Sequence, residues 1–521
     1  MKLEHPGGPL LLEGRQLTLS EIHSVAGSAR RVNVSEEALI LVARSRHVIV
    51  EILVTQQTVY GVNTGFGKLA EVRIPADRLA QLQANLVRSH ACGLGEALSE
   101  SETRAMLLLR ANVLAKGHSG VRPELLQLLI AMLNAGVHPI IPARGSVGAS
   151  GDLAPLAHLA LVVIGEGEAV FQGRRTSGAE ALQAASLHSI QLAAKEGLAL
   201  LNGTQAMTAV GALAIDHALY LVQAADLAGA MSLEALMGTP AAFDPRIHAA
   251  RPHPGQVDSA AHLTELLEGS EIRESHRHQV DDPRVQDAYC LRCMPQVHGA
   301  VRDVLRHVAR VLEIESGSAT DNPLIFPPEG LDRNVTGAKL AEVLSGGNFH
   351  GAPLAYAFDY AAIALTDLAS IAERRIDRLI NPDINEGLPA FLCADAGLSS
   401  GYMIAHVTAA ALLNECKVLA HPSSTDSVPT SGGKEDHVSM GMTGALKLRQ
   451  ITHNLRFILA IEMLCAAQGL DYRRPRRPSP AVARAHAAIR SVVPHLDEDR
   501  VPAPDIEVVA RQLETGAFLE Y

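Results

Sequence analysis

Three consecutive small residues, Ala149-Ser150-Gly151, lie in the tract GSVGASGDLAPLAHLA (Gly145 to Ala160), and their types are suited to making an electrophile. If the chain bends tightly there, the amide nitrogen of Gly151 can attack the carbonyl of Ala149. Loss of water, including the Ser150 hydroxyl, then leaves an exocyclic methylidene on a five-membered ring. Gly151 offers an unhindered nitrogen, Ala149 a small neighbour, and Ser150 the carbon that becomes electrophilic. Gly145 and Gly148 permit the backbone geometry. Two rival motifs are absent from the tract: the Gly-x-Ser-x-Gly of a serine-hydrolase elbow and the Gly-Lys-Ser/Thr of a phosphate loop.

A loop of this kind needs a rigid frame, and the composition supplies one. The 521 residues are 47% hydrophobic, enough to bury a large core, and exceed the usual size of a simple domain. Trp is absent and aromatics make up 3%, so packing relies on Ala, Leu, Val and Ile, a mixture that favours closely spaced helices. The fold class expected is mainly α: a long-helix bundle preceded by a loop-rich helical domain. Residues 1–200 are assigned to the N-terminal domain carrying the reactive loop. Residues 201–521 are assigned to the bundle and a C-terminal helical region.

Local signals place several elements. Ser99 with Glu102 forms a capping-box pattern that opens a helix running to about Lys116, before Gly117. Pro123 starts another, apolar nearly all round, which Gly136 ends. Between Pro353 and Pro382, Leu354, Phe358, Ala361, Leu365, Leu368, Ala372, Ile376 and Leu379 recur in steps of three and four along one helix face. Such a helix spans roughly 40 Å, too long for a small core to bury. Met403 to Ala420 and about Met440 to Gln468 read as two more, ended by Pro422 and Gly469.

The net charge of −11 and pI near 6.1 argue against a broad nucleic-acid surface. The one basic run, YRRPRRPSP from Tyr472, is broken by prolines and reads as a linker or subunit contact. No stretch of 18 uninterrupted apolar residues suggests a membrane span, and no secretory signal opens the chain, so a cytoplasmic enzyme is expected. Six cysteines do not make a disulfide scaffold, and Cys290-x-x-Cys293 has no second pair to complete a zinc site. The histidines are scattered without a His-Glu-x-x-His motif, so no metal is expected.

Six further motifs follow in order: YGVNTGFG (from Tyr60), NLVRSHACGLG (from Asn85), KEGLALLNGTQA (from Lys195), VQDAYCLRC (from Val285), SGGNFH (from Ser345) and KEDHVSMG (from Lys434). With the Ala-Ser-Gly tract, they resemble the histidine and phenylalanine/tyrosine ammonia-lyase family over nearly the whole chain, most closely its histidine-specific branch. That resemblance implies a methylidene-imidazolone cofactor (MIO) built from Ala149, Ser150 and Gly151, with no separate organic cofactor. It also implies conversion of L-histidine to trans-urocanate and ammonia in histidine catabolism, and a homotetramer whose active sites combine three subunits.

Ammonia is a poor leaving group and the β-hydrogen is weakly acidic, so an electrophile must engage the amine while a base removes the proton. Tyr60 is the candidate base. Its phenol ordinarily ionises near pH ~10, so a positive environment such as helix N-termini would have to stabilise the phenolate. Arg292 is a natural carboxylate clamp, since guanidinium offers two parallel hydrogen bonds. The resemblance adds Gln286 and Tyr289 as its polar neighbours, Asn202 beside cofactor and substrate, Phe349 as a wall residue, and Met403 at the end of the pocket lined by His90 and Glu435.

Ser89-His90 and Glu435 differ from the His-Leu or Phe-Leu pair and the glutamine typical of tyrosine and phenylalanine lyases. His90 can hydrogen-bond an imidazole, and Glu435 can pair with the imidazole or the amine. Lys434, Ala288 and Met294 depart from the histidine-specific pattern, as does a long segment PPEGLDRNVTGAKLAEVL before SGGNFH. Lys434 can pair with Glu435 or alter its protonation. The alternatives are an MIO-dependent aminomutase, separated by its product, and a tyrosine or phenylalanine ammonia-lyase.

Overall fold

The computed structural model describes residues 8–276, 284–328 and 341–518. Among these residues are nineteen α-helices and four small sheets of two or three short strands. The helices that position the site are α1 (Leu79–His90), α2 (Glu100–Ala115), α3 (Pro123–Ala135), α4 (Leu153–Val163), α5 (Glu196–Leu201), α6 (Gln205–Ala235), α7 (Tyr289–Arg292), α8 (Met294–Ser316), α9 (Ala352–Ile380), α10 (Met403–Leu419) and α11 (Gly441–Asp471).

The local stop and start signals act as their chemistry dictates. Ser99 Oγ accepts the Glu102 backbone N–H while Glu102 bonds back to the Ser99 N–H, forming the capping box of α2. Gly136 ends α3 in the left-handed region at φ +77°. One expected boundary is wrong: α11 runs through Gly469 to Asp471. Gly469 is buried, and a Cβ there would lie 3.0 Å from the Ala235 methyl, so this glycine lets α11 approach α6 closely.

Helices α6, α9 and α11, of 31, 29 and 31 residues, pack on one another with α8 and α10 alongside. Ala-rich faces allow this close packing, and a single buried apolar cluster extends from Leu10 to Phe518. The boundary expected at 200/201 falls inside α5. Helices α6 and α9 are long and apolar enough to cross a membrane by composition, yet 72% and 61% of their most apolar windows are buried inside the fold. Burial in the bundle accounts for that composition. The unusually long segment before SGGNFH lies largely outside the described residues.

Candidate active site

The Ala149-Ser150-Gly151 loop leaves a short strand at Arg144 and enters α4 at Leu153. Gly148 and Gly151 have φ of +69° and +76°, a region side chains disfavour. Space also excludes larger residues: a Cβ on Gly148 would lie 2.2 Å from Ser439 Oγ, and one on Gly151 would lie 2.1 Å from the Gly203 carbonyl oxygen.

Hydrogen bonds from distant segments hold this bend. Asp152 N–H donates to Gly203 O at 2.7 Å, Gly351 N–H to Gly148 O at 3.1 Å, and Met440 N–H to Val147 O at 2.8 Å. Ser439 Oγ donates to Gly148 O at 2.9 Å. The Asp152 carboxyl accepts from Ser146 Oγ and the Met207 N–H, both at 2.8 Å. Burial pushes its pKa up to about 6 against those bonds.

These contacts draw the first turns of α4, α6, α9 and α11 to the loop. A helix N-terminus carries a partial positive charge, so several such termini converge where negative charge would develop.

Ser150 Oγ donates to Glu435 Oε1 at 2.5 Å. Glu435 Oε2 accepts from Thr430 Oγ1 at 2.9 Å and Ser431 Oγ at 2.8 Å. Of the two roles open to Lys434, pairing with Glu435 is not found among the described residues; Lys434 is exposed. Tyr60 is half-buried. Burial raises its pKa, the Gly67 backbone lowers it and Glu435 raises it, so the phenol is the favoured resting form.

His90 closes α1, with Nδ1 2.8 Å from Leu86 O. A carbonyl can only accept, so Nδ1 carries the proton and Nε2 offers a lone pair. Burial lowers the His90 pKa and favours this neutral form, although Leu86 O and Glu435 oppose the shift.

Asn202 Nδ2 donates to Asn322 O at 3.1 Å, leaving its buried Oδ1 without a protein partner. Asn322 Oδ1 accepts from Ser345 Oγ and the Gly346 N–H, at 3.1 and 2.8 Å. This ties the segment bearing half-buried Phe349 to Asn202. His350, beside Phe349, bonds through Nε2 to His437 O at 3.2 Å, two residues beyond Glu435. A cavity of about 820 Å³ lies between the helix Glu36–Thr55, Tyr60, Pro323 and Ser345, and its lining includes none of Ser150, Glu435, His90 or Asn202.

One chain does not gather every expected residue. Gln286 and Tyr289 are exposed, and the Arg292 guanidinium lies 4.7 Å from the centre of the Tyr289 ring. Arg292 Nε is buried without a hydrogen-bond partner. Among the described residues, no hydrogen bond or ion pair joins Gln286, Tyr289, Arg292 or Met403 to the 149–151 loop. Helix α7 instead packs on α6, α8 and α9, and half-buried Met403 opens α10.

Several partners escaped the motif reading. Asp152 directly follows the tripeptide and Gly203 follows Asn202, so proximity alone would flag them. Thr430 and Ser431 carry no recognisable spacing. Ser439 reaches the loop, and Asn322 reaches Asn202, only through contacts distant in sequence.

A model of the aromatic amino acid lyase family matches residues 17–491. The chain belongs to that family. Among aromatic amino acid lyases, it is 54% identical to histidine ammonia-lyase of Koribacter versatilis over 97% of this chain and 98% of that protein. It is 55% identical to histidine ammonia-lyase of Sorangium cellulosum, covering 98% of each. The structure of histidine ammonia-lyase from Trypanosoma cruzi superposes with a TM-score of 0.89 at 43% identity, covering 98% and 94% of the two chains. Tyrosine aminomutase from Streptomyces globisporus gives 0.92 at 41% identity, covering 98% of each. The fold is therefore common to lyases and mutases, and choosing between them depends on side chains.

Proposed function

We propose that this chain removes ammonia non-oxidatively from L-histidine, giving trans-urocanate, with an MIO electrophile formed from Ala149, Ser150 and Gly151. The central observation is the Ser150 Oγ to Glu435 contact of 2.5 Å in a loop whose bend admits only glycine at 148 and 151. The Ser150 hydroxyl must leave as water, and the adjacent carboxyl, once protonated, can supply the proton that this leaving group needs. When formed, the ring supplies a methylidene carbon that engages the substrate amine and makes ammonia a better leaving group.

The other roles follow from donor and acceptor geometry. The His90 Nε2 lone pair accepts an imidazole N–H, an interaction a phenyl ring cannot make. Glu435 faces the same region, as its influence on both Tyr60 and His90 indicates. Tyr60 takes the β-proton after its phenol ionises. Asn202 Oδ1, buried and unpartnered, awaits a donor from the substrate.

Arg292, with Gln286 and Tyr289, binds the substrate carboxylate in a neighbouring copy of the chain. The exposure of Gln286 and Tyr289, and the absence among the described residues of any bond from the three to the 149–151 loop, support shared sites in a homotetramer. Phe349 and Met403 complete the pocket walls, and the assembly works in the cytoplasm.

An aminomutase is the second reading, favoured by the structural likeness to tyrosine aminomutase. Purified protein should therefore be incubated separately with L-histidine, L-tyrosine and L-phenylalanine, following ultraviolet absorbance and product mass. Urocanate from histidine alone supports the lyase reading. A β-amino acid supports the mutase, and cinnamate-type products overturn the assignment of His90 and Glu435 to imidazole recognition.

A further inference from the structure

Behind the loop lies a buried polar layer with no place in the reaction above. Arg110 interrupts the apolar run AMLLLRANVLA of α2 and is fully buried. Its Nη1–H donates to Asn202 O at 2.7 Å, while Nε and Nη2 have no hydrogen-bond partner. Lys195 Nζ and Asp321 Oδ2 form a buried ion pair at 2.7 Å. Burial lowers the Arg110 pKa to about 10 against the attraction of Asp321, so the guanidinium remains charged at neutral pH. A buried cation whose nearest counter-charge is engaged by a lysine is costly. Apolar packing alone would not place an arginine there.

The position of Asn202 and Gly203 supplies a reason. Gly203 forms a β-bridge with Gly151, and its carbonyl accepts the Asp152 N–H at 2.7 Å. Gly203 has φ +144°, and a Cβ there would lie 2.4 Å from Gln205 Oε1, 2.8 Å from Thr320 Oγ1 and 3.0 Å from Arg110 Nη1. The tripeptide thus rests on one side of a two-residue strap, and Arg110 closes the other. Without its donor, the Asn202 carbonyl would be a buried acceptor left unpaired, at a cost of about 1–3 kcal/mol that favours withdrawal of the strap.

We propose that Arg110 is a positioning residue for ring closure, holding the Asn202–Gly203 strap against Gly151 so that its amide nitrogen stays within reach of the Ala149 carbonyl carbon. The inference rests on the reading that residues 149–151 cyclise. The Gly151 N to Ala149 C bond forms. The Ala149 carbonyl oxygen departs as water with the amide hydrogens of Gly151 and Ser150. A second water takes the Ser150 hydroxyl and Cα hydrogen. No oxidant or reductant is required.

The test is a timed cell-free synthesis of the full chain and its Arg110→Met variant. The folded fraction is isolated and digested, and the peptide spanning the loop is weighed. Methionine occupies much of the arginine stem volume and leaves Lys195–Asp321 as a neutral pair. The unsubstituted peptide should lose the mass of two waters. The folded variant, with an unchanged assembly size, should close its ring about 5- to 150-fold more slowly, the range that corresponds to about 1–3 kcal/mol for one buried hydrogen bond.

A purely structural role would reduce the folded yield without changing the closure rate within the folded fraction. Should Arg110→Met fail to fold, Arg110→Gln carries the same expectation, because its shorter amide reaches the carbonyl less well. Equal closure rates in folded variant and unsubstituted chain overturn the inference alone. Absence of the two-water loss from the unsubstituted chain overturns the cyclisation reading as well.

Discussion

Replacing Glu435 by glutamine changes charge at almost constant shape, which makes it a discriminating perturbation. The carboxyl accepts three hydroxyl hydrogen bonds, from Ser150, Thr430 and Ser431. A glutamine amide nitrogen accepts none, so Glu435→Gln must surrender either the bond at the oxygen that faces Ser150, which substrate takes up once that hydroxyl has left, or the pair from Thr430 and Ser431. A hydrogen bond to a charged group contributes about 1.5–3 kcal/mol, corresponding to a roughly 10- to 150-fold fall in kcat/KM for L-histidine. The measurement is initial-rate urocanate absorbance, normalised to ring content by loop-peptide mass, with thermal melting as a fold control. L-phenylalanine turnover should not fall in parallel, because its ring makes no use of the carboxylate. A variant within threefold of the unsubstituted protein at equal ring content would remove Glu435 from the reaction and its specificity.

Tyr60→Phe should lower kcat by about 10²–10⁴, the usual contribution of a positioned acid or base, while the melting temperature holds. In the unsubstituted protein, the upward Tyr60 shift predicts kcat/KM that rises toward alkaline pH; a flat profile would exclude the phenol as base. Ser150→Ala and Arg292→Met should each be inactive alone yet regain activity when co-assembled. Failure in verified mixed oligomers would place the clamp and loop in the same subunit. Glu234, buried and pushed from 4.5 to about 7, stabilises the fold fully below its unfolded pKa and loses that contribution as pH rises through the folded one. Glu234→Gln should therefore gain stability relative to the unsubstituted protein, approaching about 3 kcal/mol near pH 8, with little difference near pH 4; equal melting temperatures throughout would exclude the titration.

The local features were legible where neighbouring residues determine them. The Ser99–Glu102 capping box, the Gly136 stop and the faces of the long helices depend on interactions within a few residues. The left-handed backbone at Gly148 and Gly151 is local in the same sense, but the steric exclusion there comes from distant Ser439 and Gly203. Gly469 misled because its backbone preference yields to close packing against Ala235. The layer behind the loop was illegible for a different reason: Arg110 meets Asn202, and Ser439 meets Gly148, across long stretches of chain that carry no periodic signal. Motif order could identify Gln286, Tyr289 and Arg292 as a group, but not that, among the described residues, one folded chain makes no bond between them and its own loop.

The short contact between Ser150 and Glu435 also imposes an order on the molecule's life. Before closure, the serine hydroxyl occupies the same carboxyl oxygen proposed to receive substrate. Expelling that hydroxyl as water frees the oxygen in the step that creates the electrophile. Under the proposed cyclisation, a newly folded chain holds its own serine at the proposed recognition point, and maturation would open that point only when the reactive carbon exists to use it.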